Sequence, residues 1–183
     1  MIDRAGLIPY HFGQGMELVV YPAEILARRA VLVPDPAAVA AVAREMLLLM
    51  RAHDGIGLAA PQVGISRRFF VLGLQRDGEL VFINPEIVAR SRRTVLSEES
   101  CLSLPDVTVE VPRSAWVDVR AWDGQGEPFE LRARGLLSRA VQHELDHLNG
   151  VLCIDRIDVK RRERITRRLE AQRNHGPATR TAP

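Results

Sequence analysis

Apolar residues between positions 35 and 54 recur at the period of an α-helix. Val39, Val42, Ala43, Met46, Leu47 and Met50 fall three or four residues apart, which gathers them on one face. Asp35-Pro36 predicts the start: the carboxylate can accept from an orphan helical N–H, and the proline ring presets φ at the first helical position. Asp54-Gly55 marks the expected stop. Beyond it the period shortens. Phe69-Phe70-Val71-Leu72, Leu80 to Ile83, Val107 to Val111, Trp116 to Arg120 and Phe129 to Leu131 are short runs rich in β-branched and aromatic residues, the composition of strands. Asp77-Gly78 and Asp123-Gly124 mark turns between them. Helical spacing returns at Leu136, Leu137, Ala140, Val141, Leu145 and Leu148, and Asn149-Gly150 is a good C-terminal stop. A polar helix follows. This order predicts an α+β domain, with mostly antiparallel sheets packed around a central helix and a further helix at the C-terminal end. Residues 1–183 read as one domain, with 1–16 a loose lead-in and 174–183 a disordered tail.

Composition adds few constraints. A chain of 183 residues with 46% hydrophobic content suits a single substantial core. No apolar stretch approaches the ~20 residues of a membrane span, and the first residues lack the pattern of a signal peptide. Two cysteines fit a reducing cytoplasm better than a disulfide scaffold. The net charge of +2 is uneven, with +5 from Asp158 onward and −3 before it. A solvated helix face is the plain reading of that basic end.

The central helix carries chemistry. In Gln142-His143-Glu144-Leu145-Asp146-His147 the two histidines stand four apart, so both imidazoles can reach one metal ion while Glu144 lies beside it as an acid/base. A catalytic centre needs three protein ligands and one open position. Cys153 falls where a metzincin would have its third histidine, but it sits in the apolar run Val151-Leu152-Cys153-Ile154, where a cysteine usually serves as a small core residue. Cys101, among the polar and turn-prone residues Glu98 to Pro105, is the favoured third ligand. Asp146 reads equally as a residue supporting the centre or as a surface carboxylate. Glu99 and Arg113 read either as an ion pair bracing the metal loop or as unrelated surface charges.

A third segment, Gly55-Ile56-Gly57-Leu58-Ala59-Ala60-Pro61-Gln62, has glycines that permit close backbone approach and a proline that stiffens the chain before an amide. With it the chain resembles the peptide deformylases, whose motifs G-x-G-L-A-A-P-Q, E-G-C-L-S and Q-H-E-x-D-H-L-x-G occur in this order. Here they stand at Gly55 to Gln62, Glu99 to Ser103 and Gln142 to Gly150, and the resemblance runs from about Val19 through the C-terminal helix. One departure is visible: Ser100 replaces the glycine before the cysteine. If that position has positive φ, serine is strained there; if glycine serves only for lack of bulk, serine narrows the groove.

The resemblance implies a hydrolase that removes the formyl group from formyl-methionyl nascent peptides. Cys101, His143 and His147 would hold one divalent ion, Fe²⁺ in the cell, with Zn²⁺, Ni²⁺ or Co²⁺ able to substitute. Glu144 would move the proton, while the Gln62 amide and the Leu102 N–H would face the developing oxyanion. Ile56, Gly57, Leu136 and Ala140 match positions around the methionine pocket, with Arg139 beside it. The implied setting is the bacterial cytoplasm, as a monomer without membrane partners, and the basic helix then offers a transient contact with ribosomal RNA. An H-E-x-x-H endopeptidase using Cys153, Glu163 or Glu170 leaves Gln62 and Cys101 unexplained. A zinc deaminase lacks its Pro-Cys-x-x-Cys element. A binding module with a structural metal would want a fourth protein ligand.

Overall fold

Helix α1 spans Ala40–Ala52 and is entered through a 3-10 turn at Pro36–Val39, where the Asp35 carboxylate accepts from the Ala37 N–H at 3.2 Å. The start therefore lies where Asp35-Pro36 predicts it, although its first turn is wound more tightly than an α-helix. The structure, a computed structural model, describes residues 15–75 and 77–174. Most of the expected lead-in and tail, residues 1–14 and 175–183, lies outside the described residues.

Seven strands follow α1: β1 (Gly57–Ala59), β2 (Phe69–Leu74), β3 (Gly78–Arg90), β4 (Thr94–Cys101), β5 (Leu104–Ser114), β6 (Trp116–Trp122) and β7 (Pro128–Arg134). Helices α2 (Gly135–Leu148) and α3 (Val159–Asn174) complete the order. The strands form a five-stranded antiparallel sheet, β1-β2-β3-β6-β7, and a separate β4–β5 hairpin. The architecture is α+β. Two strands have no counterpart in the hydrophobic pattern. β1 is only three residues long, and β4 is largely polar, burying Glu99 and Cys101 and little else.

Three apolar clusters hold these layers. Under α1, Val42, Met46 and Met50 meet Leu58, Phe69 and Val71. On the other face of the sheet, Phe70, Leu72, Phe82 and Val119 meet Ala140, Val141 and Leu148 of α2. Strand β2 is thus covered on both sides, which is why Phe69 to Leu72 reads as an unbroken apolar run rather than an alternation. The hairpin forms the third cluster, with Val107, Val109 and Val111 against Leu152, Cys153 and Ile154. Helix α2 lies between the sheet and the hairpin and touches both.

That position makes α2 an unusual helix. Its buried residues include Ser138, Glu144, Asp146 and His147 beside the apolar ones, while Leu136, counted in the apolar stripe, is 45% exposed. Gln142 fastens the helix to the end of β5, accepting from the Ser114 N–H and donating to its carbonyl, each at 3.0 Å. The helix ends at Asn149, and Gly150 follows with φ +72°. A Cβ there would also lie 2.6 Å from the Ala27 carbonyl oxygen, so only glycine fits on both counts.

Phe82 stacks on Phe70 with centroids 4.7 Å apart and meets Phe129 edge-on at 5.3 Å. Phe82→Ala is expected to cost about 3–5 kcal/mol, through lost transfer energy and an incompletely closed cavity. A shift of the urea midpoint worth less than about 1 kcal/mol would show that this layer collapses without penalty.

Candidate metal centre and its cleft

The period of a strand places the first donor. On β4, residues two apart share a face, so Glu99 and Cys101 point inward while Ser100 points out. A register shift between Ser100 and Cys101, followed by the two-residue turn at Leu102-Ser103, ends the hairpin at the centre. The period of a helix places the other two donors, His143 and His147, on one face of α2. The ligand atoms of Cys101, His143 and His147 all lie within 4.8 Å of one another. His147 Nε2 is 3.2 Å from Cys101 Sγ and 3.3 Å from His143 Nε2. Cys153, by contrast, is 1% exposed inside the hairpin cluster, where burial pushes its thiol well above the usual range. Glu163 and Glu170 are exposed on α3 and take no part in this group.

These donors fit a divalent ion. One thiolate and two imidazoles are a common set, and three protein ligands leave a position open. Burial and the neighbouring His143 hold His147 well below the usual imidazole range, so it is neutral, the form that binds metal. Its Nδ1 is buried with no hydrogen-bond partner among the described residues.

His143 is braced from behind. Its Nδ1 lies 2.8 Å from Glu99 Oε2, and Glu99 receives a fork from Arg113, with Nε donating to Oε1 at 2.7 Å and Nη2 to Oε2 at 2.9 Å. Burial alone would raise the Glu99 carboxyl, but the hydrogen bonds and charges of Arg113 and His143 override it and bring it down to about 2. Glu99 is therefore an anion that accepts from the imidazole N–H and fixes its tautomer. The remaining Arg113 nitrogen, Nη1, donates to Asp146 Oδ2 at 2.6 Å. Both Glu99 and Arg113 are buried, so theirs is not a surface pair, and the buried Asp146 belongs with them.

Glu144 lies on the same helix with its carboxylate against Gly57. A Cβ on residue 57 would stand 2.2 Å from Glu144 Oε1, so glycine is the only residue that leaves room. Burial is the main cause that lifts Glu144 to about 7, and its Oε2 has no partner among the described residues. Gln62 is held opposite: its Oε1 accepts from the Ala59 N–H at 2.8 Å, and its Nε2 donates to Ser103 Oγ at 3.2 Å and lies 3.5 Å from Cys101 Sγ. Ser103, the last residue of the Glu99 to Ser103 motif, for which the sequence suggests no role of its own, ties this amide to the N-terminal segment by donating to the Val19 carbonyl at 2.8 Å.

These groups open on a cleft of about 780 Å³ lined by Ile56, Gly57, Gln62, Cys101, Leu102, Ala140, His143 and Glu144, among others. Leu136 is the exception among the residues matched to the pocket. It is one helical turn before Ala140 but lines an adjoining hollow of about 240 Å³ with Val95 and Ser97, and Arg139 borders both spaces. Arg139 Nη1 donates across to the Glu98 carbonyl at 3.2 Å, so its arm stands between the two. Ser100 is exposed on an extended strand and is absent from the residues with positive φ, which removes the strained reading and leaves bulk at the cleft wall.

A profile of polypeptide deformylases matches residues 16–163. The chain belongs to the polypeptide deformylase family. It is 45% identical over 131 residues to the peptide deformylase of Tolumonas auensis, covering 70% of this chain and 78% of that protein. It is 43% identical over 164 residues to the peptide deformylase of Acidobacterium capsulatum, covering 87% and 96%. The crystal structure of the peptide deformylase from Thermotoga maritima superposes with a TM-score of 0.76 at 41% identity, covering 81% of this chain and 99% of that one. Polypeptide deformylases are enzymes of the amide hydrolase class, and the motifs that carry the family resemblance supply the groups assembled here.

Cys101→Ala is expected to abolish stoichiometric metal binding, while Cys153→Ala keeps it and loses about 1 kcal/mol or less of stability. Metal analysis of the two purified variants checks this, and the reverse pattern would move the third ligand to Cys153. Ser100→Gly is expected to lower stability by about 0.5–1 kcal/mol, since glycine in an extended strand relieves no strain and adds unfolded-state entropy. A rise in the urea midpoint would contradict the extended geometry.

Proposed function

We propose that this deformylase hydrolyses the N-formyl group of formyl-methionyl peptides, releasing formate and a free N-terminal methionine. The observation that carries the reading is the convergence, on one cleft of about 780 Å³, of three metal-type donors, a buried carboxylate with one oxygen unpartnered among the described residues, and an oriented amide. Cys101, His143 and His147 would hold the divalent ion, which would supply Lewis acidity toward a carbonyl and toward water. Fe²⁺ is proposed as the cellular ion, with Zn²⁺, Ni²⁺ and Co²⁺ as substitutes, because a thiolate–imidazole set accepts all four.

The chain's own groups do the rest. Glu144 takes a proton from the attacking water at a carboxylate oxygen and passes it to the amine nitrogen as the formyl C–N bond breaks. A carboxyl lifted to about 7 by burial is poised for both transfers near neutrality. Gln62 Nε2 and the Leu102 N–H donate to the carbonyl oxygen as its charge grows. The bond from Ala59 holds the amide of Gln62 with its nitrogen directed toward Cys101, so little reorganisation is needed. Ile56, Gly57 and Ala140 bound the space for the methionine side chain. Leu136 would join that space only where it extends past Arg139 into the adjoining hollow.

The proposed setting follows from the substrate, since formylated chains emerge from bacterial ribosomes in the cytoplasm. No helix among the described residues is long and apolar enough to cross a membrane. Helix α3 presents Lys160, Arg161 and Arg164 as exposed cations, whereas Arg162 and Arg167 pair with Asp155 and Glu163. That face supports a weak, salt-sensitive contact with ribosomal RNA.

Glu144→Gln is expected to retain metal and peptide binding but to lose about 10²–10⁴-fold or more in kcat, because an amide of equal size cannot carry the proton. Turnover of formyl-Met-Ala-Ser by anaerobically purified protein of known metal content provides the test. A kcat near that of the unsubstituted enzyme would exclude Glu144 as the acid/base, and turnover of the acetylated analogue at a similar rate would exclude formyl specificity.

A further inference from the structure

The brace behind His143 does not end at Arg113. Arg156 closes the turn Cys153–Arg156 after α2, and its guanidinium forks onto Asp146, with Nε 3.0 Å from Oδ2 and Nη2 2.5 Å from Oδ1. Asp146 Oδ2 is the same oxygen that accepts from Arg113 Nη1 at 2.6 Å. An unbroken line of charge-assisted contacts therefore runs Arg156–Asp146–Arg113–Glu99–His143, alternating in sign as far as Glu99. The Arg156 side chain is 46% exposed, against 8% for Asp146, 6% for Arg113 and 3% for Glu99, so it is the solvent end of the line, opposite His143, which is 11% exposed at the cleft.

The sharing at Asp146 gives Arg156 leverage over the distant imidazole. Arg113 divides its donors between two buried carboxylates. With Arg156 in place, both oxygens of Asp146 are neutralised from outside and Arg113 can keep its fork flat on Glu99. Without Arg156, Asp146 would be a buried anion with one cationic partner, and it would draw Arg113 toward itself. The fork onto Glu99 would then loosen, and with it the contact from Glu99 Oε2 to His143 Nδ1. A residue that orients a ligand's second nitrogen tunes how firmly that ligand holds a metal.

We propose that Arg156 is a positioning residue for the metal centre, acting through Asp146, Arg113 and Glu99 on the ring of His143. The proposal rests on the reading that Cys101, His143 and His147 hold the ion. A nearby arginine on α3 provides an internal control: Arg162 is 52% exposed and pairs with Asp155, outside the line.

Zinc competition against a chromophoric chelator, on the full-length protein, reads the effect without any assay of turnover. R156Q is expected to weaken zinc binding about 3- to 10-fold, less than the ~10–100-fold typical of groups that touch a ligand directly. R156K should recover only part of the loss, because an ammonium cannot fork onto both oxygens of Asp146. R162Q should stay within about twofold of the unsubstituted protein, as the line is left intact. Equal weakening in R162Q would assign the effect to net charge and overturn the proposal, as would R156Q binding zinc like the unsubstituted protein. Should R156Q not fold, R156K decides alone: reduced affinity supports the role and unchanged affinity overturns it. Failure of the unsubstituted protein to take up stoichiometric metal would overturn the metal reading itself and this proposal with it.

Discussion

A bidentate ion pair buried between a hairpin and a helix underlies the rest of this structure. Arg113 stands at the end of the inward face of β5, after Val107, Val109 and Val111, where the alternation of the strand would otherwise place another apolar residue. Its fork onto Glu99 neutralises a carboxylate that β4 must bury if Cys101 is to face inward two residues later. Buried pairs of this kind contribute little net stability, because desolvation consumes most of the Coulombic gain. Loss of one partner nevertheless typically costs about 3–5 kcal/mol. The pair is better understood as the condition for a polar wall opposite α2, on which a ligand-bearing hairpin and a ligand-bearing helix can meet.

Helix α2 is subject to the same constraint from its other side. It buries Ala140, Val141 and Leu148 against the sheet and Glu144, Asp146 and His147 toward the hairpin, so both flanks are removed from water. The sheet flank supplies the hydrophobic contribution. The hairpin flank holds charge only because each carboxylate but one is matched by a guanidinium. The exception, Glu144, is set apart by Gly57, whose missing side chain lets the carboxylate sit against backbone with one oxygen unpaired among the described residues. The helix thus carries two buried acids in different states: Asp146, matched by two guanidinium groups, and Glu144, matched by none among the described residues.

Much of this was legible in the sequence, and the exceptions have physical causes. Regular periods give α1, α2 and the apolar strands directly, and the order of helices and strands gives the α+β class. β4 escapes because its period is written in Glu99 and Cys101, not in hydrophobic residues. β1 escapes because three residues carry no period. The donors Cys101, His143 and His147 are readable because metal chemistry restricts residue type and spacing together. Matching by position puts Leu136 beside the same space as Ala140, whereas in the fold it lines the adjoining hollow on the far side of Arg139. The contacts of Ser103 and the role of Arg156 lie beyond sequence reasoning for another reason. Their partners, Gln62, Val19 and Asp146, are fixed by tertiary proximity, and a serine in a turn or an arginine in a charged run carries no local mark of it.

The donors come from two elements about forty residues apart, with Gln62 from a third element a similar distance earlier. Neither the hairpin nor the helix alone offers more than two ligands, so an unfolded or half-folded chain is a poor chelator. A divalent ion held by these donors would bind almost exclusively to the completed fold, and its free energy would add to global stability by mass action, about 2.7 kcal/mol at a hundredfold excess over Kd. Metal supply would then govern how often the chain opens as a whole. In a cell short of the ion, this protein would be lost through proteolysis of the opened chain as well as through lack of a reactive centre.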